Sequence, residues 1–131
     1  MKGYKVLYYE DGKYYSYFKI LQNNCASFWK MKPLQYNEKD KTFPEKNNGS
    51  ICVFKTKEDV QNFLQCEYRH VSIYSENIRI FEIEYDPDDY SKSICNERQI
   101  TYIRFIYPSS ALAFSVTLLE DITPQLKKFL F

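Results

Sequence analysis

Two carboxylates, Glu82 and Glu84, stand two residues apart in the sequence, on either side of Ile83. Apolar and polar residues alternate over residues 78–85, which predicts a β-strand. Residues two apart on a strand point to the same face of the sheet. The two carboxylates are therefore expected side by side, an arrangement that suits acid–base chemistry.

This pair resembles the E-x-E strand with which ADP-ribosyltransferases position a ribose hydroxyl. The resemblance implies an enzyme or binder acting on a nucleotide or NAD-like ligand through Glu82 and Glu84. Those enzymes also need an Arg or His on an early strand, and the first candidate in this chain is Arg69. The competing interpretation is the solvent face of an amphipathic strand, with Arg79 and Arg104 as cross-strand partners. We favour the second interpretation and keep the enzyme as the alternative.

The sequence contains no further arrangement typical of a nucleophile, metal or cofactor site. The four cysteines, Cys25, Cys52, Cys66 and Cys95, include no closely spaced pair of the kind that structural zinc sites use. We expect reduced thiols, no metal and no cofactor. A pair of Cys66 and His70 would share a helix face if the helix continued that far, but the sequence supplies no third group to orient them. The three glycines are too scattered for a phosphate-binding loop.

Two β-prone segments, residues 4–9 and 14–20, are joined by a short polar connection that contains Asp11 and Gly12. Asp-Gly between such segments is typical of a type I′ turn, because both central residues need a positive φ. The sequence therefore predicts a β-hairpin at this position.

The hairpin is unusually rich in tyrosine. We place Tyr8 and Tyr14 on one face, and Tyr9, Tyr15 and Tyr17 on the other. A small hairpin cannot easily bury both faces, so some rings should be exposed, and exposed tyrosines are typical of protein interfaces. Tyr9, Tyr15 and Tyr17 are therefore the candidate binding residues. The alternative is cross-strand aromatic packing within the sheet, where the same rings belong to the core.

The remaining elements indicate one α+β domain over residues 1–131, built on a mainly antiparallel sheet of about five to six strands. Thr56 is a good N-cap for the main helix, predicted over about 56–66, with Val60, Phe63 and Leu64 on its apolar face. Thr123-Pro124 predicts a short C-terminal helix. Further strands are predicted over residues 51–54, 100–107 and 114–118.

The chain carries 18 basic and 17 acidic residues, interspersed along its length. A nucleic-acid-binding protein normally concentrates a basic excess on one face, so this balance argues against DNA or RNA as the main partner. No secretory signal is visible, and the most apolar segment is too short to span a bilayer. The sequence therefore predicts a cytoplasmic protein that does not associate with membranes. Its surplus of Lys, Asn, Ile, Tyr and Phe suggests an AT-rich genome such as that of a phage, virus or low-GC bacterium.

Three segments, residues 49–63, 79–84 and 113–120, resemble a loose group of short proteins of phages, viruses and bacterial mobile elements. The resemblance implies a compact α+β fold and a mobile-element origin. With no catalytic arrangement in the sequence, we favour a non-enzymatic binding protein that acts by protein–protein contact. Its partner would be a host protein, such as a defence factor that it inhibits, or a second copy of the chain.

Overall fold

A computed structural model describes residues 1–17, 19, 33–44, 51–88 and 110–130. In chain order the elements are strands β1 (Lys2–Glu10), β2 (Lys13–Ser16), β3 (Gln35–Tyr36) and β4 (Ile51–Phe54), helices α1 (Lys57–Cys66) and α2 (Tyr68–Tyr74), a 3-10 helix (Ser75–Asn77), strands β5 (Ile78–Pro87) and β6 (Ser110–Asp121), and a second 3-10 helix (Thr123–Phe129). The predicted α+β class is confirmed, with six strands in the described part of the chain.

The predicted hairpin is present as β1 and β2. Asp11 and Gly12 form the turn with φ angles of 52° and 77°, as a type I′ turn requires. The second strand is shorter than predicted, because it ends at Ser16 and the chain turns at Tyr17.

Helix α1 begins and ends where the sequence predicted. The side chain of its N-cap, Thr56, accepts a hydrogen bond from the backbone N–H of Asp59 at 3.1 Å. The predicted apolar face, Val60, Phe63 and Leu64, is buried. A second helix, α2, follows at Tyr68, so that His70 is also helical.

The strand pairings form a closed circuit. Strand β1 pairs with β5 along most of its length, β5 pairs with β6, β6 pairs with β4, and β4 returns to β1 at the pair Tyr4 and Phe54. Strands β2 and β3 extend the sheet beyond this circuit. Two register shifts in the β5–β6 pairing accompany the closure, as bulges do in strongly bent sheets.

Both faces of the sheet are buried. The outer core joins one face to the helices through residues such as Val6, Ile80 and Leu64, and it includes Leu126 and Leu130 from the C-terminal segment. That segment is a 3-10 helix, not a regular α-helix. The inner core lies within the circuit, and its most deeply buried members include Leu7, Val53, Ile83, Ala113 and Val116.

The closure depends on two residues of β1. Gly3 lies so close to β4 and β5 that a Cβ atom would come within 2.7 Å of the Phe54 carbonyl oxygen and 2.9 Å of the Tyr85 ring. Lys5 is 8% exposed and donates from Nζ to the Cys52 carbonyl oxygen at 2.6 Å, so its side chain connects β1 to β4.

Several predicted features lie outside the described residues: Cys25, Cys95, Arg104, the strand at residues 100–107 and most of residues 18–32. In the part of the chain that is described, no helix is long and apolar enough to cross a membrane.

Candidate protein-interaction surface

The hairpin register places the tyrosines on faces that differ from the prediction. Tyr8 is paired with Tyr15, and Tyr9 is paired with Tyr14. Directly paired residues share a face, so Tyr9 lies with Tyr14 and not with Tyr15. The predicted grouping was wrong because it did not follow the register that the predicted Asp11-Gly12 turn imposes, in which Glu10 pairs with Lys13 and Tyr9 with Tyr14.

Tyr17 was assigned to the exposed face and is in fact part of the core. It is 7% exposed, and its ring packs edge-to-face against Phe63 at a centroid distance of 4.8 Å. Its hydroxyl donates to Glu67 Oε2 at 3.3 Å. Tyr17 therefore belongs to the outer core with Tyr8 and α1, and it is removed from the candidate interface.

Tyr15 is half-buried on the opposite face of the hairpin from Tyr9. The ammonium of Lys19 lies over its ring, 4.1 Å from the centroid, and also forms an ion pair with Glu10 at 3.5 Å. Its own chain therefore occupies one face of the Tyr15 ring, which makes this residue a poorer contact than Tyr9.

A continuous row of side chains follows Tyr9 instead. The Arg79 guanidinium lies over the Tyr9 ring at 4.9 Å, Tyr9 contacts Tyr14 at 5.1 Å, and Tyr14 packs edge-to-face on Phe81 at 5.0 Å. Phe81 is buried, whereas Arg79, Tyr9 and Tyr14 are half-buried. We call the row Arg79, Tyr9, Tyr14 and Phe81 the hairpin-tip surface.

The hairpin-tip surface is held by the junction between the first 3-10 helix and β5. Asn77 Nδ2 donates to the Tyr9 carbonyl oxygen at 3.0 Å, which ties the end of β1 to this junction. Nη1 of Arg79 donates to the carbonyl oxygens of Glu76 at 2.6 Å and Ile78 at 2.9 Å. Stacking and hydrogen bonds together fix the Arg79 side chain before any partner arrives.

A shallow groove of about 370 Å³ adjoins the surface at Tyr14. It is lined by the hairpin turn and by the segment that follows β3: Gly12, Lys13, Tyr14, Gln35, Tyr36, Asn37, Glu38, Lys39 and Asp40. The lining is mostly polar and carries both signs of charge. The groove therefore widens the hairpin-tip surface without adding an apolar pocket for a small molecule.

Tyr14 lies near charges of both signs. Burial raises the pKa of its phenol, and the nearby carboxylates of Glu38 and Asp121 raise it further, whereas Arg79 lowers it. Tyr14 therefore stays a neutral hydroxyl at physiological pH and can donate a hydrogen bond to a partner.

Glu82 and Glu84 lie on the opposite face of β5 from Arg79, as the strand alternation requires. Lys2 Nζ contacts Glu82 at 3.5 Å, and the N-terminal ammonium of Met1 contacts Glu84 at 2.8 Å. The prediction that Arg79 pairs with these two carboxylates is therefore wrong. Glu84 is exposed and Glu82 partly exposed, which is the environment of ion-paired surface carboxylates.

The remaining candidate groups are dispersed. Nδ1 of His70 lies 3.0 Å from Glu67 Oε2, so the carboxylate beside it orients the imidazole, and Cys66 is exposed at the end of α1. Cys52 and Cys66 take part in no disulfide, and no group of metal-binding side chains occurs among the described residues.

Comparison of the chain with known protein families, characterised proteins and solved structures found no match. The evidence for the candidate surface therefore comes from the geometry of this chain alone. Sequence reasoning identified Tyr9 but missed Tyr14, Arg79 and Phe81 as its neighbours. The alternation of residues along β5 places Arg79 and Phe81 on one face of that strand. Pairing with β1 then puts both residues on the same face of the sheet as Tyr9.

Proposed function

We propose that this chain is a non-enzymatic binding protein that acts by protein–protein contact through the hairpin-tip surface. The observation that carries the proposal is the continuous stack of Arg79, Tyr9 and Tyr14 on buried Phe81. Tyrosine and arginine are residue types enriched at binding hot spots, and a tyrosine ring gives a large contact area at low entropic cost.

The fixed geometry of the surface supports the same proposal. Each ring already packs on its neighbour, so binding a partner would order few additional rotamers. A hot spot of this type typically loses about 2 kcal/mol or more of binding energy when one ring is truncated.

We further propose that the protein originates from a phage, virus or mobile element and works in the host cytoplasm. The surplus of Lys, Asn, Ile, Tyr and Phe, whose codons are AT-rich, supports this origin. On this proposal the partner is a host protein, for example a defence factor that the chain inhibits, and a second copy of the chain is the other candidate.

The alternative, an enzyme or binder acting on a nucleotide or NAD-like ligand through Glu82 and Glu84, has less support. Both carboxylates have cationic partners, and the groove at Tyr14 is lined by other residues.

Affinity capture with matched variants tests the proposal. The tagged protein, its Tyr9→Ser/Tyr14→Ser variant and its Phe43→Ser/Phe114→Ser variant are each incubated with host lysate. The phenylalanines form another aromatic pair that is more exposed than the two tyrosines, with ring centroids 6.1 Å apart. We expect the tyrosine variant to lose the partner and the phenylalanine variant to keep it.

Thermal melts of both variants accompany the capture, because a partner lost through unfolding would say nothing about the surface. Sedimentation of the purified protein shows whether a second copy binds. A partner retained by a folded tyrosine variant, or lost only by the phenylalanine variant, would refute the hairpin-tip surface.

A further inference from the structure

Among the described residues, the Arg79 guanidinium donates hydrogen bonds from only one of its three nitrogens. Both N–H groups of Nη1 donate to backbone carbonyl oxygens, those of Glu76 and Ile78. The N–H of Nε and those of Nη2 have no acceptor in the described structure. Nε and Nη2 form the side-on fork of the guanidinium, whose two parallel N–H groups match the two oxygens of a carboxylate.

The charge of Arg79 is also not neutralised by the described residues. No carboxylate lies within salt-bridge distance of its guanidinium in that part of the chain. Asp121, a nearby acid on β6, accepts hydrogen bonds from the backbone and hydroxyl of Thr123, and Glu38 lines the groove instead. A half-buried, fixed arginine of this kind is complementary to an acidic group on another molecule.

The two tyrosines complete the surface around the fork. The hydroxyls of Tyr9 and Tyr14 take part in no hydrogen bond in the described structure, so both can donate to the oxygens of an incoming group. Their rings offer apolar contact beside the charge, which shields a hydrogen-bonded ion pair from water and strengthens it.

We infer that Arg79 determines the specificity of the hairpin-tip surface by pairing with an aspartate or glutamate side chain of a protein partner. This inference rests on the proposed function and names the chemistry of the partner. The acidic residue is held by the Nε–Nη2 fork, and an apolar neighbour packs on Tyr9 and Tyr14.

The test records the arginine Nε–H resonances of the full-length protein by NMR during titration with an acetylated peptide of alternating glutamate and leucine. The control peptide has glutamine in place of glutamate. We expect the Arg79 resonance to shift during titration with the glutamate peptide. The apparent affinity for the glutamine peptide should be about tenfold weaker than that for the glutamate peptide. Arg69, an exposed arginine on α2, is the matched internal control.

Equal shifts with both peptides, shifts at Arg69 as large as those at Arg79, or no shift at all would overturn the inference. So would a response to a phosphoserine peptide without one to the glutamate peptide, since that would assign the fork to phosphate.

Any partner captured by the wild-type protein gives a second readout. Arg79→Lys keeps the charge but removes the fork, and we expect it to weaken capture about tenfold, whereas Arg69→Lys leaves capture unchanged. If Arg79→Lys captures normally while Tyr9→Ser/Tyr14→Ser does not, the carboxylate inference fails and the proposed function stands. If the tyrosine variant also captures normally, the proposed function itself fails.

Discussion

Replacing Tyr17 with alanine should destabilise the protein by about 3–5 kcal/mol, the range for removing a buried aromatic side chain. Tyr17 is 7% exposed and packs edge-to-face on Phe63 at 4.8 Å. The contact between the two rings accounts for about 0.5–1.5 kcal/mol of that loss. Tyr17→Phe keeps the ring and removes only the hydroxyl that donates to Glu67, so it should cost about 1 kcal/mol.

Urea denaturation, followed by circular dichroism, measures both variants against the wild-type protein. Tyr15→Ala is the matched control, because Tyr15 lies on the same face of the sheet as Tyr17 but is only half-buried. We expect a clearly smaller loss for Tyr15→Ala than for Tyr17→Ala. A Tyr17→Ala variant within about 1 kcal/mol of wild type would show that the ring is not part of the outer core. It would return Tyr17 to the candidate interface.

Three further changes test the fold. Phe63→Ala removes the ring between Tyr17 and Phe54 and should cost about 3–5 kcal/mol in urea unfolding; a near-neutral result would contradict its place in the core. Gly3→Ala should cost about 1–3 kcal/mol, since its Cβ would meet a backbone oxygen at 2.7 Å, and an unchanged melting temperature would argue against the tight β1–β4 approach. Burial lowers the pKa of Lys5 from 10.5. Below the folded pKa, Lys5 is charged and the full penalty for burying that charge destabilises the folded state. As pH rises from the folded pKa towards 10.5, this penalty disappears. The wild type should therefore gain stability relative to Lys5→Met with rising pH. A difference independent of pH, measured in urea melts from neutral to alkaline pH, would show that Lys5 does not titrate as described.

The features that the sequence predicted well are those encoded by a few neighbouring residues. Asp11 and Gly12 specify the turn by their positive φ angles, and Thr56 specifies the start of α1 by its capping hydrogen bond. Neither depends on the rest of the fold. The apolar face of α1 follows from helical spacing in the same local way.

The pairing of Tyr9 with Tyr14 follows from the predicted Asp11-Gly12 turn, but local residues do not show which face of the hairpin the helices cover. Tyr15 pairs with Tyr8, and Tyr8 and Tyr17 belong to the outer core, so the face that was predicted to be exposed is the one that packs on α1. The hairpin-tip surface needs β5 beside β1, a pairing of residues more than seventy positions apart. Apolar alternation in a strand does not identify its neighbour.

Strand β1 has neighbours on both edges, and one of them, β5, lies more than seventy residues later in the chain. The circuit closes only when β6 joins β5 to β4. Long-range pairings of this kind are formed late and slowly, because the intervening chain must lose entropy before the contacts stabilise it. During synthesis the hairpin of β1 and β2 can form early on the ribosome, but the inner core has to wait until β6 has emerged. Its apolar strands remain unprotected during that interval, when exposed strand edges favour aggregation.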